Sequence, residues 1–333
     1  MTQFPMKEIA FQAGVSLASV DRYLHGRAGL RAATKVRIKA AIEELEAQYA
    51  QTALHPARLS IDVIMDAPDR FTSACREAFL AEVPSLRPAS LRCRFHLGAT
   101  WEGADIVRLL HQIRKRGSHG IVLKTRATQA IKNAAQECIE AGIPVLTFVT
   151  DLTGIDRLAY VGMDNAAAGR SVAWMMAPML HDGDRVLLTL SDQDFLGEQA
   201  RTDGFMAQMP DGVAVYTMPQ KSGSDRDVLA QVQGVLQAHP DICAVYSSGG
   251  SNSAIRRAFL AERREVKVHA GHDLDTANMA MLRDQQLSFI VHHDLREDAR
   301  RVFQHVLKFH RMLEDRFEIT GTQFSIVTPF SMG

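Results

Sequence analysis

Cysteine is scarce. Cys75, Cys93, Cys138 and Cys243 are the only four in 333 residues. No two stand at metal or redox spacing and nothing resembles a disulfide framework, so a reducing cytoplasm is the expected setting. An excess of one charge is also missing. Thirty-eight basic residues balance 38 acidic ones, which argues against a surface that coats nucleic acid throughout. Long apolar runs are absent. The most apolar helical stretch, Val172 to Leu180, is too short to span a bilayer. Met1 to Pro5 is short and polar, and an amphipathic helix follows where a secretion signal would carry a continuous apolar core. Neither a membrane partner nor export is expected. No heptad array, tandem repeat, nucleophile elbow, phosphate loop or dinucleotide fingerprint is found. Enzyme chemistry and a cofactor are therefore not expected.

What is present is a chain that is 46% hydrophobic, long enough for a small head and a body of roughly 270 residues. The head is the most informative stretch. Met6, Ile9, Ala10 and Ala13 share one side of a short helix, which Gly14 ends. Ser16 opens a second helix as its cap, with Val20 and Leu24 facing inward. Helical spacing sends Ala18, Asp21, Arg22 and His25 outward together. Gly26 breaks that helix and Thr34 is expected to cap a third, whose Ile38, Ala41, Ile42 and Leu45 close the core. Such a helix-turn-helix lays its second helix in the DNA major groove.

The charge agrees. Through residue 42, Lys7, Arg22, Arg27, Arg31, Lys35, Arg37 and Lys39 face only Glu8 and Asp21, a local basic footprint suited to phosphate. Base contacts are expected from Leu17, Ala18 and Arg22, the last able to pair with guanine. Asp21 is unusual there: it can accept from a cytosine amino group, hold Arg22, or complement the amino end of the helix. Ser19, Arg27, Arg31, Thr34 and Lys35 are expected on phosphates.

Ala13 to Arg22 reads A-G-V-S-x-x-[ST]-V-x-R, and Thr34 to Leu45 reads T-x-x-x-[IV]-x-x-A-x-x-E-L. This resembles the amino-terminal DNA-binding domain of the lactose-repressor (LacI/GalR) family. Family members usually carry an Asn-Pro-x-x-x-Ala-Arg-x-Leu hinge next, a short helix that pushes an apolar wedge into the minor groove. The linker here is shorter and differs: Pro56 stands beside Ala57 and Arg58, with Leu54 or Leu59 as the wedge. A hinge helix and a simple tether both remain open.

From Leu59 on, short apolar runs alternate with amphipathic helices, which implies parallel sheets covered on both faces. Two separate sheets are expected, with the chain crossing at His181–Asp184. The expected organisation is a small all-α helix-turn-helix head (1–50), a linker (51–59) and an α/β body (60–333). The body would hold two doubly wound parallel-sheet subdomains, 60–181 with 294–318 and 183–292 with 320–333. Y-V-G-M-D-N at 160–165 followed by A-A-A-G-R, R-T-D-G-F at 201–205, and G-H-D-L at 271–274 through I-V-H-H-D at 290–294 resemble the body of the same family. That body is periplasmic binding protein type I-like.

Open α/β sheets bind ligands beyond the carboxyl ends of their strands, so the cleft between the sheets is the expected pocket. A sugar-like ligand needs fixed hydrogen-bond partners and a flat apolar face. Strand ends supply Asp69, Arg70 and Phe71, then Thr150 and Asp151, then Gln193, Asp194 and Phe195. Phe71 suits stacking or a core plug; Arg201 suits a bidentate clamp or a helix cap. Ser248 and Asn252 suit ligand oxygens or a helix start. The resemblance makes Asp273 the ligand-contacting aspartate, and His293 replaces the family's usual Gln. Asp164 is expected to cap the helix from Asn165. A zinc site among His269, His272, Asp273, His292, His293 and Asp294 is disfavoured, because neighbouring strand residues point to opposite faces.

The expected function is a sequence-specific transcriptional regulator, a repressor in the first reading. It would bind a pseudo-palindromic operator as a homodimer or tetramer, under control of a sugar-like effector. The alternatives are a soluble carbohydrate-binding protein, or a metal-dependent hydrolase using the His/Asp cluster.

Overall fold

The computed structural model describes residues 4–52, 58–86, 90–98, 101–191, 195–220, 224–314 and 316–331. The chain divides into an amino-terminal unit, Met1–Arg58 with Leu86–Ser90, and a body, Leu59–Ser85 with Leu91–Gly333. Among the described residues no helix is long and apolar enough to cross a membrane.

In the first unit, α1 (Met6–Ala13), α2 (Leu17–Leu24) and α3 (Ala32–Thr52) bury Ile9, Ala10, Ala13, Val20, Ile38, Ala41 and Leu45 together with Phe4. Gly14 stops α1 at φ +58, and Val15 N–H donates to the Ala10 carbonyl, a left-handed cap that suits glycine. The Ser16 hydroxyl accepts from Ser19 N–H at 3.3 Å and starts α2. Arg37, counted with the basic footprint, instead donates from Nη2 to the carbonyls of Ala13 (2.7 Å) and Gly14 (3.0 Å). A Cβ at residue 14 would stand 2.7 Å from that nitrogen and would push the guanidinium off these carbonyls. Two expectations need correction. Thr34 does not cap α3, which already begins at Ala32; and α3 continues to Thr52, through residues read as the start of the linker. Leu54 and Pro56 lie outside the described residues, while Leu59 is 4% exposed in the first strand and is no free wedge.

The body has two sheets. The first, ordered β2-β1-β3-β4-β5, comprises β1 (Arg58–Asp66), β2 (Ser90–Gly98), β3 (Gly120–Lys124), β4 (Val145–Phe148) and β5 (Ala159–Val161). The registers Val63↔Val122, Val122↔Leu146 and Leu146↔Ala159 are parallel. Helices α5 (Gly103–Arg116) and α6 (Gln129–Glu140) cover one face with Ile106, Leu110, Ile113, Ile131 and Ala135. Helix α4 (Asp69–Glu82) packs against α12 (Leu295–Phe309), where Phe79 meets Phe303 at 5.5 Å and Phe148 at 5.4 Å.

The second sheet, ordered β11-β10-β9-β8-β6-β7, comprises β6 (Arg185–Leu190), β7 (Ala214–Pro219), β8 (Ile242–Ser247), β9 (Val268–His272), β10 (Phe289–His293) and β11 (Phe324–Val327). All its described pairings are parallel except β10–β11. Helices α9 (Asp225–Ala238) and α10 (Asn252–Ala261) cover one face, and α11 (Thr276–Arg283) follows β9. Helices α7 (Asn165–Met176) and α8 (Leu196–Gln208) supply Ala168, Val172, Met176 and Phe205 to the other face, beside Val186, Leu188 and Tyr246. These two helices touch backbone to backbone: a Cβ on Gly169 would lie 2.0 Å from the Arg201 carbonyl, and one on Gly204 2.2 Å from that of Ala166.

Because α7 belongs to the second core, the chain leaves the first lobe just after Val161. The crossing expected at His181–Asp184 is instead a turn inside the second lobe. There Asp184 Oδ2 accepts from His181 N–H at 2.8 Å and Gly183 takes φ +89.

Candidate effector cleft and nucleic-acid interface

The carboxyl ends of both sets of strands meet around a cavity of about 130 Å³. Lys124 ends β3, Val149 and Thr150 follow β4, Ser191 follows β6, Ser248 and Gly249 follow β8, and His272 and Asp273 come from the end of β9. His293 closes β10, and Phe71 with Arg70 comes from the first turn of α4. This is the location that open α/β sheets reserve for ligands.

Seven of the ten residues expected at the effector line this cavity: Phe71, Thr150, Phe195, Arg201, Ser248, Asp273 and His293. Thr150 is buried and its hydroxyl accepts from Gly197 N–H at 2.9 Å, tying the two lobes. Arg201 is 6% exposed and caps nothing. Its Nε donates to Asn165 Oδ1 at 2.6 Å and its Nη1 to the Ser248 carbonyl at 3.2 Å. Asp273 sits at φ +66, a left-handed conformation that aspartate tolerates better than most residues.

The other three do not line it. Asp69 is exposed in the first turn of α4. Asp151 is spent on Arg157, which reaches both its oxygens at 2.6 Å, and on the Thr147 hydroxyl and Leu152 N–H. Burial opposes the Asp151 charge, but these donors outweigh it and hold the carboxyl below its ordinary range. Asn252 is buried and donates to Asn278 Oδ1 at 2.9 Å, with His269 Nε2 3.2 Å from its own Oδ1. Burial drives His269 down to about 3, so it is the neutral partner that donates to this oxygen. Residues 192–194, with the candidates Gln193 and Asp194, lie outside the described residues.

Several lining residues escaped the sequence reading. Lys124 ends an apolar strand, with Nζ 4.3 Å from the Phe195 ring centre and 5.4 Å from that of Phe71. Asn278 donates to the His272 and Asp273 carbonyls at 3.1 and 2.8 Å and fixes the turn that presents Asp273. His272 Nε2 lies 2.7 Å from the Tyr246 hydroxyl, and burial pushes this imidazole well below its usual value. His293 Nδ1 is 2.5 Å from the buried Asp298, whose oxygens also accept from Thr322 Oγ1 at 2.6 Å and Arg301 Nη1 at 3.4 Å. The carboxylate thus fixes the ring with Nε2 buried and unpartnered among the described residues. Val149 takes φ +64, a strained conformation for a β-branched residue, while its carbonyl accepts from the Tyr160 hydroxyl at 3.1 Å. No three His, Cys, Asp or Glu side chains among the described residues are placed to hold a metal ion.

On the amino-terminal unit, Leu17 (47% exposed), Ala18 and Arg22 are exposed along α2, whose Val20 is fully buried. Arg27, Arg31 and Lys35 are exposed; Ser19 and Thr34 are half-buried. Asp21 does not hold Arg22. It accepts from Arg27 Nη1 at 2.8 Å and lies 3.0 Å from His25 Nδ1.

Residues 63–307 match the periplasmic binding protein domain, and residues 5–48 match the bacterial regulatory proteins of the lacI family. The ribose import binding protein of Salmonella typhimurium is 24% identical over 156 residues, 46% of this chain and 53% of that protein. Its counterpart in Escherichia coli strain K12 matches over the same shares. The chain thus spans about half the length of the curated relatives it matches. A glucose-galactose binding protein from Geobacillus stearothermophilus superposes with a TM-score of 0.71 at 18% identity, covering 83% of this chain and 99% of that one. A transporter solute binding protein from Agrobacterium vitis with bound D-fucose gives 0.71 at 18%, covering 82% and 95%. These structures share the fold of the body. Behind a head that matches the lacI family of bacterial regulatory proteins at residues 5–48, the chain belongs over residues 63–307 to the periplasmic binding protein domain family.

Proposed function

We propose that the protein represses transcription from a pseudo-palindromic operator as a homodimer, and that a small sugar-like effector in the cleft changes its operator affinity. Helix α2 carries this reading: Val20 is buried, while Leu17, Ala18 and Arg22 form a row open to base edges. Arg22 reads guanine, and Leu17 and Ala18 offer apolar contact to thymine methyls. Ser19, Arg27, Arg31, Thr34 and Lys35 hold phosphates, with Asp21 orienting Arg27. In the cleft, Phe71, Thr150, Phe195, Arg201, Ser248, Asp273 and His293 contact the effector. Closure around it shifts one lobe against the other and is coupled to DNA affinity by about 1–3 kcal/mol.

Genomic fragments selected by the purified protein supply the operator, and fluorescence anisotropy then measures affinity. Arg22→Ala should weaken operator binding by about 1–3 kcal/mol and relax preference at one base pair of each half-site. Unchanged affinity and preference would remove α2 from the groove. A thermal-shift screen of sugars and polyols finds the effector. Asp273→Asn, which suits the same left-handed backbone, should then lower its affinity by about 1.5 kcal/mol, roughly tenfold. An undiminished shift would place the pocket elsewhere.

A further inference from the structure

Three cations line the cavity beside three carboxylates, Glu198, Asp273 and Asp275, yet among the described residues none of the cations is held in an ion pair. Lys124, Arg70 and Arg201 all line it. Beyond the two phenyl faces, the Lys124 ammonium has the Asp66 backbone carbonyl at 3.4 Å. Arg201 bonds to an amide oxygen and a backbone carbonyl, both neutral. No carboxylate of the described residues forms an ion pair with any of these three cations. Of the acids at the same wall, Glu198 accepts from Ser191 N–H at 2.6 Å and from the Ser191 hydroxyl. Asp275 caps α11 through Asn278 N–H at 2.7 Å. Asp273 alone is uncommitted through its carboxylate. His272 and His292 are held below their ordinary values by burial and add no charge at neutral pH.

A cation taken from water without a counter-charge is costly, and a bound anion removes that cost. Burial, the largest influence on Lys124, already pulls its ammonium below the ordinary range, and the Glu198 charge only partly offsets it. Phe71 and Phe195 each turn a face to this ammonium. The apolar platform that would carry a neutral ring therefore ends in a positive charge.

Building on the regulator reading above, we infer that the effector is an anionic sugar derivative, a small polyhydroxylated carboxylate or phosphate ester. Its anion lies against Lys124 and Arg201, and its hydroxyls face Asp273 and His293 Nε2. Arg70, at the mouth, closes over the anion from the other side. Its Nη2 already lies where a Cβ on Gly250 would come within 1.9 Å.

Isothermal titration of the full-length protein with matched probes tests this: D-glucose, D-gluconate, D-glucuronate and D-glucose 6-phosphate, then D-ribose, D-ribonate and D-ribose 5-phosphate. At least one acid should bind about tenfold or more tighter than its neutral parent, with affinity falling as salt rises. Which acid wins separates carboxylate from phosphate. Lys124→Met, with Lys124→Gln as a second variant should the first not fold, should shrink the preference to about threefold or less. A neutral parent binding as tightly as its acids, or lysine variants that weaken both alike, would overturn the inference and leave the sugar-effector reading standing. Failure of all seven probes to bind would overturn both.

Discussion

Asp298→Ala should lower the unfolding free energy by about 3–5 kcal/mol, as removal of one member of a buried charged network does. The Asp298 side chain is fully buried, and Arg301 beside it is 13% exposed. It accepts from His293 at the end of β10 and from Thr322 in the segment before β11. Its loss leaves a guanidinium, a hydroxyl and an imidazole short of an acceptor in one place. Urea unfolding at neutral pH measures the effect, and a midpoint shift equivalent to under about 1 kcal/mol would contradict it. A second readout concerns the site. With its ring no longer held, His293 should bind effector more weakly even at temperatures where the variant remains folded.

Gly204→Ala should be nearly as damaging, about 3 kcal/mol or more. The added methyl meets the Ala166 backbone at 2.2 Å, and a backbone atom cannot rotate aside as a side chain does. Helices α7 and α8 must then separate, loosening Phe205 from Tyr246, whose rings stand 4.8 Å apart. Gly234 is the internal control. It is helical and exposed, with nothing within 4 Å of a built Cβ, so alanine there should stabilise by about 0.5–1 kcal/mol. Thermal melts of the two variants should move in opposite directions; equal shifts would deny the close approach.

The sequence exposes features with local causes. The Gly14 turn, the Ser16 cap and the Asp164 cap each depend on one residue and its chain neighbours. The motif around Arg201 reads clearly for a physical reason, since Gly169 and Gly204 are compelled by helix contact. Long-range choices are less visible. His181-Asp182-Gly183-Asp184 carries the punctuation of a domain boundary, yet a tight turn uses the same residues; the real crossing after Val161 has only Gly162 to mark it. Strand β11 follows a long irregular segment and gives too short a pattern to stand out. Within the cleft, polar residues at strand ends look alike until their partners are known. Asp151 and Asn252 are consumed internally, while Lys124, the last residue of an apolar strand, lines the cavity.

The lobes are joined three times: at 162–164, at Asp294, and between α12 and β11. Asp298 clasps the second joint to the third through His293 and Thr322, and the Tyr160 and Asn165 side chains brace the first. Two bodies fastened by two short straps and a longer one pinned at Thr322 by Asp298 keep one easy freedom, a swing about the line through the fastenings, because sliding or twisting would stretch a strap. Probes at the rim, near Arg70 and Gly250, should therefore travel far while probes beside Gly162 or Asp294 scarcely separate. In mechanical terms the body is a door on pins, and an angle describes its one easy movement.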